Sequence, residues 1–181
     1  MAISKSVLIS ILVLRILALG LLAGSIVVLA TNNFTLSDGT KTSFKDIIAY
    51  RYVIATGLLG FLYILLQIPF ALYHVCAEKR LIRNGCLPQF DFYGDKIISL
   101  LLATGVGVGF GVTFEFKKLV DQFFQNINVP GVDESKSKTE KFLDKGNLST
   151  GLLFLGFLCV AVLSVLTSIN RTATTSRGLF G

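Results

Sequence analysis

Four stretches of the chain are almost free of charge: Val7 to Ala30, Val53 to Tyr73, Ile97 to Phe114 and Gly151 to Ile169. Each is about 18 to 24 residues long, and at roughly 1.5 Å per residue a helix of that length crosses a hydrocarbon core of about 30 Å. The third does so once it is extended back toward Phe92. Backbone polar groups in lipid must be satisfied within their own segment, so all four are predicted to be α-helices. The pattern predicts a single four-span unit over 1–181, with spans near 7–30, 53–74, 92–114 and 150–169. The first apolar run exceeds the roughly 7 to 15 residues of a secretory signal core and contains an arginine, so it reads as a retained helix.

The connecting segments carry weaker patterns. Segment 31–52 contains Ser43-Phe44-Lys45-Asp46, a capping-box-like start for a short helix leading into span two. In segment 115–149, Phe116, Leu119, Val120, Phe123, Phe124 and Ile127 recur at helical spacing. They predict that span three continues as an amphipathic helix until Pro130-Gly131 stops it. From Asp133 to Lys145 charges alternate in sign around Phe142 and Leu143, which reads as a solvated helix or a flexible connection.

Composition narrows the class. Hydrophobic residues make up 52% of the 181 and charged residues 15%, against roughly 25% charged in soluble domains. The mean hydropathy is +0.71. A net charge of +6 hints at nucleic acid, but the basic residues are scattered through the connections rather than gathered on one face, which excludes that partner. An even number of crossings places both ends on one side. With the ends inside, that side holds six positive charges (Lys5, Lys79, Arg80, Arg83, Arg171, Arg177) and the other nine, so a strict positive-inside count opposes this orientation. Cys76 and Cys86 flank the connection 75–91, where free thiols suit a reducing cytosol, and the sequons at Asn33 and Asn147 fall on the other face. The orientation taken is cytosolic ends 1–6 and 170–181, with extracellular segments 31–52 and 115–149. Asn33 and Asn147 are then candidate N-glycosylation sites, and Cys76 and Cys86 candidate palmitoylation sites.

Polar residues inside the spans point to a site. Arg15 lies about 12 Å beyond Val7, where a positive charge costs on the order of 2.5 kcal/mol or more. Asp95 enters span three in the same leaflet, and Gln67, Ser164 and Thr167 reach the same depth. A polar layer centred on an Arg15–Asp95 ion pair is predicted. It either fixes helix register or lines an ion or proton path. Pro69 frees a carbonyl of span two close by. Lys96 beside Asp95 reads as an interfacial lysine. Gly105, Gly107, Gly109 and Gly111 give two small-xxx-small pairs on nearly opposite faces of span three, one for the bundle and one for a second subunit; Gly20 and Gly24 offer another such surface.

Catalytic sets are missing from the pattern. His74 is the only histidine, and the three cysteines, Cys159 among them, lack metal spacing. No cofactor, no metal and no enzymatic activity are expected. Two function classes remain: a nonenzymatic membrane scaffold, and a small ion or solute channel lined by Arg15, Asp95 and Gln67.

The absence of tryptophan, and of cysteine in either extracellular segment, separates the chain from claudins and tetraspanins. Several features together resemble the plant Casparian strip membrane-domain family, and its CASP-like members more than the strip-forming ones. They are Arg15 in span one, Phe44-Lys45-Asp46 to Ala49-Tyr50-Arg51-Tyr52-Val53 leading into span two, Asp91 and Tyr93-Gly94-Asp95-Lys96 opening span three, and the glycine run 105–111 followed by Thr113. The resemblance covers all four spans, and Arg15 and Asp95 stand where that family carries its intramembrane arginine and aspartate. It implies an all-α, MARVEL-like four-helix transmembrane bundle in the plasma membrane, with both ends cytosolic. It also implies homo- and hetero-oligomers with related members in contact with membrane lipids. Strip-forming members build immobile scaffolds that recruit cell-wall-modifying enzymes; segment 31–42 departs from their signature, so a generic platform is the role implied here.

Overall fold

The computed structural model describes residues 5–35, 41–77, 86–125 and 132–178. Four helices carry nearly all of them: α1 (Lys5–Ala30), α2 (Ile48–Ala77), α3 (Cys86–Gln125) and α4 (Val132–Gly178). Each contains a segment long and apolar enough to cross a membrane: Ser6–Ala30, Ile48–Tyr73, Asp91–Gln122 and Lys136–Ile169. The fold is the expected all-α four-helix transmembrane bundle. α1 packs on α2 and α4, and α3 packs on the same two helices, while α2 and α4 barely meet. The helices therefore form a ring in chain order, with α1 and α3 across from each other.

Burial follows a membrane logic. Large apolar side chains such as Val13, Leu66, Leu100 and Ile169 face outward, where acyl chains are as good a solvent as a protein core. The interior is a thin column of fully buried residues, among them Ala18, Leu22, Leu102, Leu153 and Val160. Leu22 fits between two glycines that the sequence reading did not single out. A Cβ on Gly60 would lie 3.3 Å from Leu22 Cδ1 and 3.0 Å from Leu102 Cδ2, and one on Gly156 would lie 2.9 Å from Leu22 Cδ2.

The connections differ from expectation in three places. Ser43 does cap a helix start: Lys45 N–H donates to Ser43 Oγ at 3.3 Å and Ser43 N–H to Asp46 Oδ2 at 2.7 Å. What it caps is a single 3₁₀ turn, Phe44–Asp46, and α2 begins afterwards at Ile48. In place of a short amphipathic helix, segment 31–52 holds a two-stranded hairpin, β1 (Asn33–Thr35) and β2 (Lys41–Ser43), in the register Asn33↔Ser43. In the third place, of the solvated helix and the flexible connection left open for residues 133–145, the helix forms, as the beginning of α4, but it is not solvated all round. Phe142 and Leu143 are buried at 3% and 1% exposure. They are anchored because Phe142 stacks edge-on against Tyr50 at 5.9 Å and its carbonyl accepts a 2.8 Å bond from Asn32 Nδ2.

α3 and α4 are thus about 60 and 70 Å long, and project well beyond a bilayer core. Their projecting parts are joined by Lys117–Asp144 at 2.6 Å and Lys136–Asp121 at 3.3 Å, exposed pairs that stabilise by about 1 kcal/mol or less each. Of the apolar stripe predicted on α3, Val120 packs on the core, whereas Phe116 and Leu119 face outward. The side chains of Phe123 and Phe124, and Ile127 altogether, lie outside the described residues.

Candidate functional site: a buried polar layer

The site lies at one end of the bundle. The N-terminal half of α1, the C-terminal half of α2, the start of α3 and the end of α4 all contribute to it. Arg15 is 3% exposed, Gln67 2% and Asp95 0%. Arg15 Nη1 donates to the Gln67 carbonyl at 3.3 Å, and Nη2 lies 4.0 Å from Asp91 Oδ1. The direct ionic partner of Arg15 is therefore Asp91 and not Asp95, as an ion pair read from the sequence had it. The reason is geometric. Asp91 precedes Asp95 by one helical turn on the same face, nearer the aqueous end toward which a long cationic side chain leans. Asp95 stays within the electrostatic reach of Arg15.

Asp95 is held by hydroxyls. Tyr63 Oη donates to its Oδ1 at 2.8 Å, and Thr167 Oγ1 lies 3.3 Å from its Oδ2. Gln67 Nε2 donates to Tyr63 Oη and, at 3.2 Å, to Asp91 Oδ1. Tyr63 can lie this close to α3 only because residue 94 is glycine: a Cβ there would overlap the phenol ring, 2.7 Å from Cε2 and 2.8 Å from Cζ. Ser164 takes part through its carbonyl, which accepts from Thr167 Oγ1 at 3.1 Å and Ser168 Oγ at 2.7 Å. α2 runs unbroken through Pro69, and the carbonyl that Arg15 uses is that of Gln67. Lys96 Nζ sits 3.9 Å above the Phe92 ring at the edge of the layer.

The layer thus joins Arg15, Gln67, Asp95 and Thr167 as expected, and adds Tyr63 and Asp91. Both additions were legible as the i−4 neighbours of Gln67 and Asp95. A second, neutral layer at the other end of the bundle was missed altogether. There Ser25 Oγ donates to the Ser149 carbonyl and Ser149 Oγ to the Ser25 carbonyl, each at 2.8 Å. Tyr50 Oη and Thr113 Oγ1 share a hydrogen bond of 3.1 Å.

The glycines of α3 divide as their spacing predicted. A Cβ on Gly105 would strike Thr56 of α2, and one on Gly109 would strike Thr150 of α4, whereas nothing lies within 4 Å of such an atom at Gly107 or Gly111. Gly20 of α1 is equally open, and Gly24 faces Leu152 at 3.6 Å. Of the sequons, Asn33 is exposed on β1. Asn147 is half-buried inside α4, and Ser149 of the same sequon is fully buried against Ser25. The side chains of His74, Cys76 and Cys86 lie outside the described residues. Among the described residues no group of three His, Cys, Asp or Glu side chains could hold a metal ion.

The profile of the Casparian strip membrane protein domain matches residues 4–159. CASP-like protein 4D1 of Ricinus communis is 40% identical over 160 residues, which cover 87% of this chain and 88% of that protein. CASP-like protein 4D2 of Arabidopsis thaliana is 39% identical over 160 residues, covering 87% and 86%. CASP-like protein 4D1 of Glycine max is 37% identical over 158 residues, covering 87% and 83%. No solved structure matches the chain.

Proposed function

Because this chain belongs to the Casparian strip membrane protein domain family, we propose that it is a nonenzymatic multi-pass scaffold of the plasma membrane. It self-associates, and associates with related members, into a platform, and both of its ends are cytosolic. The observation that carries this reading is the distribution of open glycines. Gly107 and Gly111 on α3, and Gly20 on α1, face away from the bundle with no side chain against them, on helices that lie across the ring from each other. Small residues of this kind let a second helix approach closely in lipid. Two separate contact surfaces per protomer favour open lattices over closed dimers. The projecting ends of α3 and α4, with Phe116 and Leu119 exposed, offer cell-wall-modifying partners a surface outside the membrane.

The channel reading is less well supported. Between the two polar layers the ring is closed by Ala18, Leu22, Leu102, Leu153 and Val160, all at 0% exposure, and no polar side chain bridges that column among the described residues. Photobleaching of a fluorescent fusion in a plant plasma membrane tests the scaffold. Recovery is expected to be slow and incomplete for the wild type, and to approach that of a freely diffusing four-span protein in a Gly107→Leu/Gly111→Leu variant. Full, fast recovery of the wild type would contradict the reading.

A further inference from the structure

We draw no further inference here: the strongest candidate, the outward-facing side of α3 where Tyr52 Oη and Thr104 Oγ1 share a hydrogen bond of 2.8 Å beside the open Gly107 and Gly111, belongs to the association surface already described, and nothing in the structure shows what covers it.

Discussion

Arg15 is tolerable at its depth because its guanidinium reaches both a carbonyl of α2 and a carboxylate of α3. Arg15→Met keeps the volume and removes the charge, leaving the buried Asp95 carboxylate without the guanidinium beside it. We expect a loss of about 3 to 5 kcal/mol, measured as a lowered midpoint in denaturant or heat. A smaller change tests the positioning of Tyr63. Gly94→Ala places a methyl group against the phenol ring and is expected to cost about 1 to 3 kcal/mol, with Tyr63→Phe/Gly94→Ala adding less than the two single effects because they act on one contact. At this scale the sequence was informative wherever polarity is anomalous: Arg15, Asp95 and Gln67 stand out among apolar neighbours. It was silent on which carboxylate meets the arginine, because Asp91 sits at a span boundary, where a charge is unremarkable, and side-chain lean decides the pairing.

At the scale of the helix, glycines decide what α3 touches. Gly105→Leu and Gly109→Leu would drive a side chain into Thr56 and Thr150, and both are expected to destabilise the isolated protomer. Gly107→Leu and Gly111→Leu meet open space and are expected to leave its unfolding midpoint within about 0.5 kcal/mol of the wild type. The small-xxx-small spacing made this division legible in advance. The role of Gly60 and Gly156 was not, since a notch exists only relative to the Leu22 side chain that fills it. Segment 31–52 shows a similar limit. Asp38-Gly39 between two short polar runs is a hairpin signal, but strands of three residues are too short to show an alternation. The buried start of α4 was hidden because Phe142 and Leu143 are surrounded by charge in sequence, and only Asn32 and Tyr50 show that they face inward. A related prediction concerns Asn147: with Ser149 locked to Ser25, Asn147→Gln is expected to leave the gel mobility of protein from plant membranes unchanged before and after glycosidase treatment. A shift lost in that variant would contradict this expectation.

For the whole molecule, the apolar runs were sufficient to place four membrane helices, because lipid leaves the backbone no alternative. The continuation of α3 beyond the membrane was legible in the helical spacing of Phe116, Leu119 and Val120, whereas for residues 133–145 the alternating charges left a helix and a flexible connection equally open, since neither has a distinct hydropathy. The ring has a charged layer at one end, a neutral hydrogen-bonded layer at the other and an apolar column between, and its free surfaces among the described residues are lipid-facing side chains and four open glycines, Gly20, Gly107, Gly111 and Gly151. The proposed platform requires such units to assemble. The mass of the intact particle, measured by native mass spectrometry from nanodiscs, reads this most directly. The wild type is expected as a multiple of the 19.7 kDa protomer, and Gly107→Leu/Gly111→Leu as smaller particles of unchanged protomer stability. A wild type that is monomeric at every concentration and lipid composition would contradict the scaffold.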